Sequence, residues 1–174
     1  RHQGVDVAVR AFSLVKQQVP EARFLVYGEG PEKENLEVLA AGLGLQDDVL
    51  FHGALPMEEI VQVMRNADLG VVPKRASGFG NEAFSTKIFE FMALGVPVVA
   101  SRTKIDSYYF NDSVLGFFTP EHESDLADLI LSLVQDRSRL RHLADQGLEF
   151  IQEHNWDAKK EIYYSIVDAL VVRR

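Results

Sequence analysis

Four short apolar runs, Phe24-Leu25-Val26-Tyr27, Val49-Leu50-Phe51, Leu69-Gly70-Val71-Val72 and Pro97-Val98-Val99-Ala100, recur between segments of helical length. This alternation leaves few folds open. A strand that is apolar at every position must be covered on both faces, and the helices between the strands are the cover, so the chain reads as βαβ units. The expected fold is α/β: a Rossmann-like parallel sheet with helices on both faces and extra helices at the C-terminal end. Helical spacing of Val5, Ala8, Val9, Phe12 and Val15 predicts a helix over 5–19, closed by Pro20. Further helices are expected over 32–43, stopped at Gly44, over 57–66 behind Pro56, and over 86–94. Residues 114–118 read as one more strand, and 123–135, 137–153 and 157 onward as helices. No repeat, low-complexity tract or interior linker interrupts 1–174, so the expectation is a single domain.

Charge and composition remove several functions. The chain has no cysteine, which excludes disulfides, thiolate metal sites and cysteine nucleophiles. Its net charge of −8, with no long Lys/Arg block, lacks the basic footprint that duplex nucleic acid needs. No apolar stretch approaches the roughly 18 residues of a membrane span, and a cytoplasmic setting is the default expectation. The closing Val171-Val172-Arg173-Arg174 makes only a weak basic patch for peripheral membrane contact. The sequence opens at Arg1 directly on helix-like residues, which reads as a fragment of a longer chain whose first strand lies upstream.

In a parallel sheet, ligands bind beyond the carboxyl ends of the strands. That singles out Gly28-Glu29-Gly30-Pro31, His52-Gly53, the segment 73–84 and the segment 101–109. Gly28 and Gly30 precede a helix whose N-terminal N–H groups could seat a diphosphate, or they simply make a tight turn. His52 could donate to a ligand or be a packed side chain. The loop 74–84 is long for a βα connection and holds Lys74, Arg75 and Glu82 before Ser85 and Thr86, candidate caps of the next helix. Lys87 falls in that helix's first turn, where a cation opposes the helix dipole unless an anion is near. Glu90 lies within Ile88-Phe89-Glu90-Phe91-Met92, a helix apolar nearly all round, so its carboxylate is expected to be buried and to need donors from a ligand or from the protein. Arg102, Lys104 and Asp106 could border the same pocket, whereas Trp156, Tyr163 and Tyr164 read as packing residues.

Together these residues carry a resemblance. Asn66-Ala67-Asp68-Leu69-Gly70-Val71-Val72-Pro73, the pair Glu82 and Glu90 with seven residues between, and Ala93-Leu94-Gly95-Val96-Pro97-Val98-Val99-Ala100-Ser101 resemble the C-terminal domain of family 4 retaining glycosyltransferases, the group 1 enzymes of GT-B fold. Gly4, Gly28-Glu29-Gly30-Pro31 and Val49-Leu50-Phe51-His52-Gly53 add to it, so the likeness runs along essentially the whole chain. It implies a nucleotide-diphosphate sugar as substrate, no cofactor, and no metal for the chemistry. Glu82 would face the donor sugar's hydroxyls as the catalytic-site glutamate, and Glu90 would hold the ribose hydroxyls. His52 and Gly53 would border the base, and Ser85, Thr86 and the helix N-terminus would hold the diphosphate. The acceptor would rest on an N-terminal domain of the same protein, leaving this chain inactive alone. Two departures stand out. Gln3 replaces the lysine usual before the glycine matched by Gly4, and Gly78-Phe79-Gly80 precedes Glu82 instead of following it. Lys74, Arg75 and Lys87 are the candidates to replace the missing positive charge. The alternatives are a nucleotide-sugar epimerase of the same fold and a non-catalytic nucleotide-binding or scaffold module.

Overall fold

The computed structural model of the chain describes residues 3–171. The alternation in the sequence becomes α1 (Val5–Gln18), β1 (Phe24–Tyr27), α2 (Lys33–Gly42), β2 (Val49–His52), α3 (Met57–Arg65), β3 (Gly70–Val72), α4 (Phe79–Glu82), α5 (Thr86–Ala93), β4 (Val98–Ser101), α6 (Lys104–Tyr109), β5 (Gly116–Phe118), α7 (Glu123–Gln135), α8 (Arg137–His154) and α9 (Trp156–Val171).

All pairings among the described strands are parallel, but they form two sheets where one was expected. β1 pairs with β2, and β3, β4 and β5 form a second sheet in that order. β1 and β3 each hydrogen-bond on one side, and side chains rather than a backbone ladder join the two sheets. Ala8, Val9, Phe12 and Val15 of α1 share one core with Phe24 and Val26 of β1, Val71 of β3, Val99 of β4, Phe118 of β5, and Leu126 and Leu133 of α7. Successive strand residues point to opposite faces. Val72, Val98 and Ala100 therefore enter a second core on the other side, with Ile88 and Met92 of α5, Phe110, and Phe150 of α8.

The remaining departures have local causes. The loop 74–84 contains the one-turn α4, and the segment after β4 folds into α6, whose N-cap Thr103 accepts a hydrogen bond from the Asp106 N–H. Thr103-x-x-Asp106 is a local capping pattern. The strand expected over 114–118 begins at Gly116, because the N–H groups of Val114 and Leu115 both bond to the Asn111 carbonyl in a turn. Trp156, Tyr163 and Tyr164 lie about half exposed on α9 and contact one another instead of entering a core. The last residues of the proposed membrane patch, 172–174, lie outside the described residues, as does Arg1.

Candidate functional site

The predicted residues fall into two groups at the carboxyl ends of the strands. The first follows β1 and β2. Tyr27 and His52 are paired in register, and their rings stack at 4.6 Å and 19°. The N–H of Gly28 (φ 132°) donates to the His52 carbonyl at 3.2 Å. A side chain at Gly53 would meet Glu29 Oε1 at 3.0 Å, so the two turns lie in contact. His52 and Gly30 are exposed, with the Gly28–Gly30 backbone open beside the stacked rings.

The second group follows β3. Lys74, read from sequence as a ligand-facing cation, is buried: its ammonium lies 2.8 Å from Asp106 Oδ2 and donates to the Ala83 carbonyl at 2.7 Å. Its partner is 32 positions away in sequence, so no local pattern announced the pair. Arg75 is likewise committed, at 2.6 Å from Asp6 and 3.3 Å from Glu121. Desolvation pulls its guanidinium down, but Asp6 and Glu121 outweigh this and hold it above the ordinary arginine value. These two cations therefore fasten the loop, where charges free to meet a phosphate were expected. Of the three candidates, Lys87 remains exposed with no ion-pair partner among the described residues.

Glu90 is also exposed, against the expectation of burial. At 100° per residue it stands 200° from both Ile88 and Met92, the two buried side chains of α5, so the apolar run had one open side. Thr86, Lys87, Glu90 and Ala93 form that outer face. Glu90 has no hydrogen-bond or ion-pair partner among the described residues, so its carboxylate is available to a ligand. Ser85 occupies the N-cap of α5 but makes no side-chain cap hydrogen bond, and the first turn contains no acidic residue.

Glu82 ends α4, one loop away from α5. Both its carboxylate oxygens accept from Lys104 Nζ, at 3.1 and 3.2 Å, with the two side chains well exposed. The Lys104 N–H donates to Asn81 Oδ1 at 2.9 Å, tying α4 to the start of α6. Arg102 turns away, pairing with Asp112 and covering the Phe117 ring at 4.3 Å.

Residues 1–150 match the glycosyl transferases group 1 family. The chain belongs to that family. It is 34% identical over 160 residues to a D-inositol 3-phosphate glycosyltransferase of Nocardia farcinica, covering 87% of this chain and 34% of the relative. It is 29% identical over 159 residues to the sulfoquinovosyl transferase SQD2 of Arabidopsis thaliana, covering 89% and 29%. The group 1 domain thus spans about a third of the length of these relatives. Among solved structures, sucrose-phosphate synthase from Thermosynechococcus elongatus superposes with a TM-score of 0.86 at 24% identity, over all of this chain and 44% of the other. Anabaena HepE, solved in complex with UDP, gives 0.81 at 21% identity over 96% and 46%. These neighbours fix the fold as that of GT-B glycosyltransferases.

Proposed function

We propose that the chain is the donor-binding domain of a retaining glycosyltransferase, moving a sugar from a nucleotide-diphosphate sugar to an acceptor hydroxyl. The observation that carries this reading is the outer face of α5, where Lys87 and Glu90 stand exposed and, among the described residues, unpartnered above an N-terminus whose N-cap Ser85 makes no side-chain cap hydrogen bond. Free N–H groups, the helix dipole and Lys87 suit a diphosphate. Glu90, roughly 4.5 Å further along the axis, suits the paired hydroxyls of a ribose, since an ionised carboxylate accepts through both oxygens. Glu82 faces the donor sugar, and the Tyr27–His52 stack with the Gly53 backbone borders the base. Negative charge grows on the departing diphosphate, where Lys87 and the fixed N–H dipoles stabilise it. That phosphate then takes the acceptor's proton on the face it leaves from, giving retention without a protein nucleophile.

The relatives are about three times as long as their matched part, which supports a second domain forming the other wall of the cleft and holding most of the acceptor. This chain alone is expected to give no sugar transfer when assayed with donors and acceptors. The synthesis of surface polysaccharide or glycolipid at the cytoplasmic side of a membrane is the setting this reading favours. No helix among the described residues is long and apolar enough to cross one.

Titration calorimetry with UDP-, GDP- and ADP-sugars tests the donor assignment. At least one donor is expected to bind, and Glu90→Gln to weaken it roughly ten-fold, the worth of hydrogen bonds to a charged group. A Glu90→Gln chain that binds as tightly as the parent would overturn the role given to Glu90.

A further inference from the structure

Helix α6 is short yet fastened at three points. Thr103 caps it, donating also to Asp106 Oδ2 at 2.6 Å, and Asp106 is held by the buried Lys74. Tyr109 is braced edge-on by Phe84, with ring centroids 5.2 Å apart, and Phe84 in turn contacts Phe89 and Phe110. What this anchoring holds outward is Tyr108, which is 80% exposed and meets the Tyr109 ring at 87°. The two rings form a corner of an open depression of about 560 Å³, whose other walls are Ile105, Ser107, and the Lys104–Glu82 pair. A lone exposed aromatic is ordinary on a protein surface; this one is carried by an anchored helix and borders an open depression with polar groups at its edge.

We propose that this corner is an acceptor subsite that takes a pyranose ring. The inference rests on the transferase reading above and extends it to a part of the acceptor site on this domain. A pyranose has an apolar C–H face and a rim of hydroxyls. The Tyr108 ring offers the matching flat apolar surface, while Glu82 accepts and Lys104 and Ser107 donate at the edge. Glu82 belongs to both sites, so a ring stacked on Tyr108 lies next to the donor sugar, as transfer between the two requires.

Saturation-transfer NMR on the chain, with the methyl α-glycosides of glucose, galactose, mannose and N-acetylglucosamine as probes, tests this. At least one glycoside is expected to receive saturation from the tyrosine ring protons, and to keep it when a nucleotide-sugar is present at saturation. Tyr108→Ala is expected to weaken that glycoside roughly five-fold while leaving nucleotide-sugar affinity and the melting temperature unchanged, because Tyr108 has little to lose on the folded side. Lys104→Met is expected to weaken the glycoside as well. Displacement of the glycoside by the nucleotide-sugar would make the corner part of the donor site and overturn the proposal. So would glycoside binding that is indifferent to Tyr108→Ala, or a chain that binds nucleotide-sugar and none of the glycosides. A chain that binds neither would overturn the donor reading and this inference with it.

Discussion

Replacing Lys74 by methionine is expected to lower the stability of the chain by about 3–5 kcal/mol, with much of the loss recovered by adding Asp106→Leu. The asymmetry follows from where the pair sits. The side chains are 5% and 0% exposed, so methionine leaves the Asp106 carboxylate desolvated with the Thr103 hydroxyl as its remaining donor. Removing one partner of a buried pair leaves an uncompensated charge, whereas replacing both with apolar groups of similar size can be close to neutral. Recovery falls short of complete because the Ala83 carbonyl loses its Lys74 donor and Thr103 loses its acceptor. Urea unfolding of the parent, both single variants and the double variant forms the cycle that checks this. A Lys74→Met loss below about 1 kcal/mol, the range of exposed pairs, would contradict a buried pair. The same cycle reaches function. Ala83 adjoins Glu82, so the Lys74→Met chain is also expected to bind nucleotide-sugar less tightly than its stability alone would imply.

Lys74 also marks the limit of what could be read from the sequence. The strands and the βαβ alternation were readable because a doubly covered strand is written in consecutive residues, as in Val98-Val99-Ala100, whose faces then part between the two cores. That a ligand would bind beyond the strand ends is an expectation from topology. Pairing was not readable. Lys74 lies in the loop after β3 and Asp106 in α6, and a lysine in a long loop after a strand has the same local sequence whether it meets a phosphate or a buried carboxylate. Glu90 failed in a different way. The helix around it was placed correctly, but a helix apolar nearly all round was expected to bury its one acid, although 3.6 residues per turn left one direction for Glu90 and Lys87. Its exposure removes the burial argument and leaves the carboxylate free for a ligand. The division of the strands into two sheets was hidden for a third reason: α1 joins them through side chains, and nothing in Phe24–Tyr27 or Gly70–Val72 states which edge is paired.

Gly4→Ala is expected to cost about 3–5 kcal/mol, combining overpacking with left-handed backbone strain. Gly4 is buried at the N-cap of α1 with φ at 62°, and a Cβ built there would lie 1.8 Å from the Pro73 carbonyl oxygen. Both sides of that contact are backbone, so no rotamer change relieves it. Either the start of α1 withdraws from the end of β3, or the loop after β3 moves. Asp6 and Arg75 bridge the same junction at 2.6 Å, so movement there also strains the ion pair. Gly44→Ala separates the two contributions: φ is 71° at Gly44 but nothing lies within 4 Å of the added carbon, so the expected cost is the backbone term alone, about 1 kcal/mol. Thermal and urea unfolding of both variants give the comparison, and equal losses would show that the approach of Gly4 to Pro73 is not close. Pro73 opens the loop that carries Glu82, so Gly4→Ala is also expected to weaken nucleotide-sugar binding, while Gly44→Ala, beyond the far end of α2, leaves it unchanged. On this reading the glycine matched by the family pattern serves the site through packing. It lets a helix start against the loop, and a serine or alanine there would be excluded by the Pro73 carbonyl.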